Sequence, residues 1–345
     1  MKKDLSTLEI RQLVGEFQFL VNGRVDKIYQ TSKKQFVFKI HPAGGSRFLK
    51  TMDRFIFIAP EKGETPDAPS AFCMVLRKNL ENRRIRKIFQ KGSERIAVFE
   101  TDSAILVVEL FGQTNLILCN EKYEVISAAR MDKELKKGAK YSFPEKTNIF
   151  TLNERQFLDI ISSSKTEIVK TVAQLVGGTY SEEICLRAGI PKNATAIEEK
   201  EAKKIFSEFV ALMESEPCPT VVFEKEPIDA VLYDLKLYEG RNKVLFSAFY
   251  EALESYISQS SEIREESQAE KKYRQQIEKV EKIIEVQQKA IEKLSKEAEQ
   301  SQRAGELIYE HYQEVESVLN DAKKGKESKK IKSTDKKNRE ITIEI

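Results

Sequence analysis

Apolar residues at helical spacing open the chain, and apolar runs with strand-like alternation follow them. Ser6 and Glu9 form an S-x-x-E capping box, which is typical of a helix start. The residues behind this box repeat at helical spacing, namely Ile10, Leu13, Val14, Phe17 and Leu20. Four strand-like runs come next, with the sequences VDKIYQ, KQFVFKI, SRFLK and RFIFIA. The pattern therefore predicts one helix packed on a first small sheet.

A second helix and a second group of strands complete this part of the chain. Pro66 and Pro69 precede a helical pattern that runs from about Ser70 to Asn82. Five apolar runs follow, with the sequences IRKIFQ, ERIAVFE, AILVVELF, NLILC and EVISAA. The turns between these runs are short and polar, which favours antiparallel pairing over parallel crossovers. We predict an α+β domain with antiparallel sheets over residues 1–148.

Residues 149–216 have a helical pattern that is broken by glycines. Three S/T-x-x-E boxes predict helix starts there, at Ser164–Glu167, Thr179–Glu182 and Thr195–Glu198. Gly177 and Gly178 separate two helical stretches, as in helix-hairpin-helix modules, whose turn can present backbone N–H groups to a phosphate. An ordinary helical bundle with glycine helix ends explains the same pattern, and the pattern alone favours that bundle.

Residues 217–260 read as an extended linker with short strands, and a long helix is predicted over 261–322. From Tyr273 to Leu319, mostly apolar residues repeat at alternating steps of four and three. Seven such heptads with Glu- and Lys-rich flanks are typical of a coiled coil. This helix needs a partner, either a second copy of the chain or a returning helix that the sequence does not contain. We therefore expect possible self-association through the coiled coil.

The last segment, residues 323–345, is basic and ends on alternating isoleucines. Ile341, Ile343 and Ile345 repeat at a period of two, which predicts a β-strand. We expect residues 323–345 to be the start of a truncated middle domain, inserted at the tip of the coil.

Composition narrows the classes of function. The chain has 345 residues, of which 40% are hydrophobic, and no apolar run approaches the roughly 20 residues of a membrane helix. The N-terminus lacks the apolar stretch of a secretory signal. Four scattered cysteines without a CxxC pair, and only two histidines, argue against a zinc site and serine–histidine catalysis. We expect a cytoplasmic protein that is not an enzyme and uses no metal, cofactor or membrane.

Positive charge is concentrated in two segments of a chain whose net charge is only +3. Residues 77–95 contain eight Lys or Arg and two Glu, and residues 323–339 contain nine Lys or Arg and two acidic residues. Such clusters favour contact with a polyanion. In the first cluster the candidate RNA-binding residues are Arg83, Arg84, Arg86 and Lys87. Strand alternation predicts that Ile85 and Phe89 face the core there. The alternative to RNA contact is that the basic face merely keeps the chain soluble.

Three sequence blocks resemble the NFACT family. They are LRKNLENRRIRKIFQKGSERI, VVELFGQTNLIL and GGTYSEEICLRAGI, in this order along the chain. The resemblance implies an N-terminal domain similar to that of formamidopyrimidine-DNA glycosylases, a helix-hairpin-helix domain, and a long coiled coil with a middle domain at its tip. It does not imply glycosylase activity, because Lys2 stands where those enzymes place a proline nucleophile, and their zinc finger cysteines are absent.

The resemblance also implies a function in ribosome-associated quality control. Family members bind a stalled large ribosomal subunit that carries peptidyl-tRNA and recruit tRNA, mainly alanyl-tRNA. The stalled chain is then extended without mRNA, and the ribosome itself forms the peptide bonds. A cell-surface fibronectin-binding adhesin is the alternative that another family label suggests. The sequence disfavours the adhesin, because it contains no signal peptide, sortase-type tail or lipid anchor.

Site residues follow from the resemblance one position at a time. Glu94 and Arg95 match an Asp–Arg pair implicated in tRNA recognition, and we expect them at an exposed turn. Glu9 matches an acidic position of the same domain, although it is also the capping partner of Ser6. Glu109 matches a further acidic position. The family signature around Gly177 and Gly178 shifts the interpretation of that turn toward a helix-hairpin-helix.

Overall fold

The computed structural model describes residues 2–32, 35–63, 69–131, 135–144, 147–325, 330–335 and 340–344, with backbone alone for 261–275, 278, 281 and 334. The chain divides into two compact units, Met1–Ile263 and Arg264–Ile345.

The first unit begins with helix α1, Thr7–Glu16, and a four-stranded sheet. The predicted capping box is confirmed, because Ser6 Oγ accepts a hydrogen bond from the Glu9 N–H and the Glu9 carboxylate accepts one from the Ser6 N–H. The sheet has the order β1 Arg24–Ser32, β2 Gln35–His41, β3 Arg47–Met52 and β4 Phe55–Ala59, all antiparallel. Helix α2, Ala71–Leu80, follows and is capped by Ser70.

A five-stranded antiparallel sheet follows α2. Its order is β5 Ile85–Gln90, β6 Ile96–Thr101, β7 Ile105–Glu109, β8 Asn115–Cys119 and β9 Val125–Ala128. Both faces of this sheet are covered. Its inner face joins the main hydrophobic core, and its outer face forms a smaller core beneath Tyr141 and Phe143. The predicted α+β class with antiparallel sheets is confirmed.

Four helices occupy the next stretch, but not with the predicted starts. They are α3 Glu154–Ser162, α4 Ile168–Val176, α5 Gly178–Ala188 and α6 Glu199–Glu214. The capping boxes that form are Asn153 with Gln156 and Glu198 with Glu201. The three predicted capping boxes are wrong. Helices α4 and α6 begin at residues other than the predicted ones, and the hydroxyl of the remaining box has another partner. Thr179 lies inside α5 and donates to Asp229 at 3.2 Å.

The predicted linker, residues 217–260, is instead well packed. It contains a sheet with the order β11 Pro227–Val231, β10 Thr220–Phe223 and β12 Asn242–Leu245. The long helix α7, Phe249–Glu310, begins well before the predicted residue 261. Glu16 explains this start, because its carboxylate accepts the N–H groups of Phe249 and Tyr250 at 2.7 and 2.9 Å. One hydrophobic core runs from Leu5 to Ile257, across the predicted boundaries at 148 and 216.

The second unit contains the rest of α7, helix α8 Tyr312–Lys323, and a hairpin. The hairpin pairs β13 Ile331–Asp335 with β14 Glu340–Ile343 in antiparallel fashion. The predicted strand of alternating isoleucines is therefore confirmed over β14, and Ile345 lies outside the described residues. Large apolar side chains of the predicted coil seam are exposed along α7, among them Ile277, Val280, Ile284, Ile291 and Leu294. Pairing of this helix in a coiled coil stays a prediction.

Candidate nucleic-acid interface

Residues that are far apart in the sequence come together around one cleft of the first unit. The cleft has a volume of about 730 Å³. Glu94 and Arg95 line it from the turn between β5 and β6, and Gly177 and Gly178 line it from the turn between α4 and α5. The segment from Asp4 to Thr7 contributes a third wall. Four of the predicted site residues therefore share one surface.

Gly177 is required by the backbone and by its surroundings. Its φ angle is +93°, in the region that side chains rarely adopt. A Cβ atom at this position would lie 2.9 Å from the Cβ of Ser6. The α4–α5 turn consequently packs directly against the N-cap of α1. Helix α5 starts at this turn without a side-chain cap, so its first turn offers backbone N–H groups and a partial positive charge.

Arg95 supplies a cation to the cleft, and Asp4 is the carboxylate that holds it. Arg95 Nη1 lies 3.0 Å from the Asp4 carboxylate and donates to the Leu5 carbonyl at 3.3 Å. Arg54 Nη1 lies 3.2 Å from the same carboxylate. The Arg95 side chain is 30% exposed. Sequence reasoning missed Asp4, because nothing in its local sequence links it to residue 95.

Glu94 and Glu109 lie near a tyrosine that sequence reasoning also missed. Contrary to the expected exposed turn, Glu94 is buried. The Tyr141 hydroxyl donates to the Glu109 carboxylate at 2.8 Å. Burial, the charge of Glu109 and, more weakly, that of Glu94 raise the pKa of Tyr141. Tyr141 therefore keeps its proton and remains a hydrogen-bond donor in this acidic pocket.

Glu9 does not reach the surface, and its expected contact with tRNA stays a prediction. It is completely buried and accepts hydrogen bonds from Lys2 Nζ at 2.7 Å and the Tyr180 hydroxyl at 2.8 Å. Lys2 Nζ also lies 3.2 Å from the Asp229 carboxylate. Because Tyr180 belongs to α5, Glu9 ties α1 to the helix that opens at the cleft. These hydrogen bonds hold α1 against the first turn of α5.

Two buried carboxylates stabilise the charged form of Lys2. Burial alone would lower the pKa of the Lys2 ammonium, but the charges of Asp229 and Glu9 outweigh it and raise this pKa. Burial and then Glu9 raise the pKa of Tyr180 as well. The network therefore consists of one ammonium group, two carboxylates and neutral tyrosines.

The basic stretch forms a separate, exposed surface at the edge of the five-stranded sheet. Its four candidate residues are Arg83, Arg84, Arg86 and Lys87, and all are exposed. None of them is among the described residues that line the cleft. They therefore mark a second candidate contact surface.

A bulge in β5 corrects the predicted alternation of this stretch. The strand register shifts between Ile85 and Lys87, so Ile85 and Ile88 face the main core instead of Ile85 and Phe89. Phe89 turns to the outer face of the sheet.

Asp102 organises two of the arginines. Its carboxylate accepts the Arg84 backbone N–H at 3.0 Å and the Arg86 guanidinium Nε. The Arg84 N–H bond and then the Arg86 bond lower the pKa of Asp102. Part of the positive charge of Arg86 is thus balanced locally, while the Arg84 guanidinium donates to the Asn22 carbonyl at 2.9 Å.

Fold and cleft together define the class of this chain. It is an α+β protein in which three antiparallel sheets and a helical stretch share one core, followed by a long helix. Over residues 6–345 the chain matches the family described as NFACT N-terminal and middle domains. The chain therefore belongs to the NFACT family, as its three sequence blocks predicted.

Relatives of this chain include an archaeal Rqc2 homolog and a human subunit of the ribosome quality control complex. An archaeal Rqc2 homolog from Methanocaldococcus jannaschii is 32% identical over 99% of this chain and 56% of its own length. The human ribosome quality control complex subunit NEMF is 26% identical over 63% of this chain and 22% of its own length. This chain thus spans little more than half of the archaeal relative and less of the human one.

Solved structures support the fold. The fibrinogen binding protein from Staphylococcus aureus superposes with a TM-score of 0.60 at 21% identity, over 72% of this chain and 97% of that one. The N-terminal part of the fibronectin/fibrinogen-binding protein from Streptococcus suis gives a TM-score of 0.59 at 20% identity, over 74% of this chain and 99% of that one. At such identities the likeness concerns the fold alone.

Among the described residues, no helix combines the length and the apolar character that crossing a membrane requires. The same residues contain no cluster of three or more His, Cys, Asp or Glu side chains arranged to hold a metal ion.

Proposed function

We propose that this chain acts in ribosome-associated quality control as an RNA-binding factor. It binds a stalled large ribosomal subunit that carries peptidyl-tRNA and recruits tRNA, mainly alanyl-tRNA, for extension of the stalled chain without mRNA. The ribosome forms the peptide bonds, and this chain contributes no catalytic group. The observation that carries the proposal is the convergence of Glu94, Arg95, Gly177 and Gly178 on one cleft in a member of this family.

The cleft offers the two kinds of group that RNA recognition requires. The Arg95 guanidinium is planar and partly exposed, so it can stack on an unpaired base or bind a phosphate through two hydrogen bonds. The uncapped start of α5 offers N–H groups to a phosphate oxygen. We interpret the α4–α5 pair with its Gly177–Gly178 turn as the helix-hairpin-helix of the family.

The basic edge and the long helix have different roles in this proposal. Arg83, Arg84, Arg86 and Lys87 contact phosphates, which position a nucleic acid without reading its sequence. Helix α7 forms one strand of the family's coiled coil. In this proposal the cleft distinguishes one tRNA from another, and the edge of the sheet provides general affinity for RNA.

Sequencing of co-purifying RNA tests this function. The full-length protein is isolated from its host, and we expect tRNA and large-subunit rRNA to be enriched over a mock purification. A variant with Arg83, Arg84 and Arg86 changed to Glu should recover less RNA and show a weaker salt dependence, because fewer counterions are released on binding. Recovery without tRNA or large-subunit rRNA would contradict the proposal.

A further inference from the structure

We infer that the outer face of the five-stranded sheet carries a stacking platform for unpaired RNA bases. The stacking platform consists of the Phe89 and Phe143 rings and the two lysines above them, Lys87 and Lys91. It deepens the proposed function, since it rests on this chain being an RNA-binding factor, and it adds a surface for single-stranded RNA to the cleft and the basic edge.

Strand geometry and a ring contact place three of these side chains on the same face. Residues at steps of two along a strand project to the same side, and the bulge between Ile85 and Lys87 sets which side that is. Phe89 lies on the outer core of the sheet, so Lys87 follows it to that side, and Lys91, just beyond the strand, is placed there by its contact with Phe143. Lys87 Nζ lies 4.8 Å from the centre of the Phe89 ring, and Lys91 Nζ lies 4.9 Å from the centre of the Phe143 ring.

Two tyrosines hold Phe143 in place. The Tyr123 ring meets it edge to face at 5.4 Å and the Tyr141 ring at 4.9 Å, measured between ring centres. Both tyrosines are anchored by carboxylates, Tyr123 to Glu100 at 3.1 Å and Tyr141 to Glu109 at 2.8 Å. The ring is thus fixed before any ligand arrives, which lowers the entropy cost of binding.

Lysines above half-buried rings suit nucleic acid. An exposed cation over a ring gains less than a base stacked on that ring, so a base can displace the ammonium. The displaced Lys87 or Lys91 is then free to contact the phosphate of the same nucleotide. Glu100 and Glu109 beside these rings already accept hydrogen bonds from tyrosines, and Glu94, which lies near Tyr141, is buried.

The stacking platform is continuous with the cleft. Phe111 packs against the same outer core and also lines the cleft. Lys91 begins the turn that carries Arg95. Phe111 and the turn from Lys91 to Arg95 thus link the two surfaces, so a single strand held by Arg95 can extend from the cleft toward the stacking platform.

The alternative role of these lysines is to cover apolar rings with their aliphatic stems. Binding measurements separate the two roles. The probe is a fluorescent oligouridylate decamer, whose bases stack little on one another, and anisotropy is recorded over a range of salt concentrations with the full 345-residue chain. Replacing Phe89 and Phe143 by Leu keeps apolar volume but removes the aromatic faces.

We expect the Phe89→Leu, Phe143→Leu variant to bind the decamer at least about tenfold more weakly, with an unchanged salt slope, because rings neutralise no phosphate. Lys87→Met with Lys91→Met should instead reduce the slope, by about 1.4 if both contact phosphates.

Tyr29→Leu is the matched control, since Lys62 Nζ lies 5.1 Å above that ring on the four-stranded sheet. Thermal unfolding confirms that each variant is folded, and Phe89→Leu alone repeats the test if the double variant is not.

The outcomes distinguish the stacking platform from the proposed function. Ring variants that bind the decamer as tightly as the wild type overturn the platform, as does an equal loss in Tyr29→Leu. A wild-type chain that binds tRNA but not the decamer also overturns the platform and leaves the proposed function standing. A wild-type chain that binds neither overturns both.

Discussion

Gly177 shows how one residue fixes the geometry of the cleft. It combines a φ angle of +93° with a close approach to Ser6, so a methyl group there strains the backbone and pushes α1 away from the α4–α5 turn. We expect Gly177→Ala to lower the free energy of unfolding by about 1–3 kcal/mol, as measured by urea denaturation.

Gly178 is the matched control for this prediction. Its Cβ would meet no atom within 4 Å and its φ is not positive. Gly178→Ala should therefore leave stability unchanged or raise it slightly, since alanine favours the first turn of a helix over glycine. Equal losses in both variants would contradict the specific role of Gly177.

Lys2 gives the stability of the fold a defined pH dependence. Removing it in Lys2→Met leaves Glu9 and Asp229 buried without their cation, and we expect a loss of about 3–5 kcal/mol at neutral pH. Because the pKa of Lys2 is raised on folding, its contribution is complete below the ordinary lysine value of 10.5 and declines as pH rises above it.

Urea denaturation at a series of pH values checks this. The difference between the wild type and Lys2→Met should be constant at neutral pH and shrink above pH 10.5. A difference that already shrinks between pH 7 and pH 9 would mean that another group carries the effect.

At the scale of single residues, the local sequence predicts only part of the site. Glu94, Arg95, Gly177 and Gly178 are recognisable because each pair sits in a short motif. Asp4, Lys2 and Tyr141 are not, because their partners are brought to them by the tertiary fold and no local pattern records those contacts. The burial of Glu9 escaped prediction for the same reason.

At the scale of elements, tertiary contacts decide where helices begin. The Ser6–Glu9 box forms as predicted, whereas Thr179–Glu182 does not, since the Thr179 hydroxyl binds Asp229 instead. The start of α7 depends on Glu16, which is more than two hundred residues away in the sequence. Strand alternation predicted the sheets well, but it could not predict the bulge in β5.

Glu16 is the testable case among these helix starts. Its carboxylate satisfies two N–H groups that α7 cannot pair within itself. We expect Glu16→Ala to lower the free energy of unfolding by about 1–2 kcal/mol, the usual value of an N-cap. Glu251, a half-buried acid in the first turn of the same helix that accepts from the Ser247 hydroxyl at 2.8 Å, provides the control, because Glu251→Ala removes a charge without removing this cap. Similar losses in both variants would argue against a capping role.

At the scale of the whole molecule, the exposed seam of α7 predicts association. Ile284, Ile291 and Leu294 are 51%, 68% and 64% exposed. Burying each such side chain contributes about 1.5–3 kcal/mol, so the isolated chain should self-associate through this seam. Sedimentation equilibrium measures this directly.

Position along the helix provides the control for this experiment. Changing Ile284, Ile291 and Leu294 to Glu should yield a monomer, whereas Val286→Glu, outside the heptad register but equally exposed, should not. A wild-type chain that stays monomeric at high concentration, with α7 fully helical by circular dichroism, would contradict the prediction.

Substitution of Arg95 tests most directly whether the cleft recognises tRNA. Arg95 and Arg54 bind the same Asp4 carboxylate, but only Arg95 lines the cleft. Affinity for fluorescent tRNA should fall by about tenfold or more in Arg95→Ala, since a charge-assisted hydrogen bond is worth about 1.5–3 kcal/mol, and should stay close to wild type in Arg54→Ala. Wild-type affinity and tRNA preference in Arg95→Ala, with the protein folded, would contradict the assignment of the cleft to tRNA.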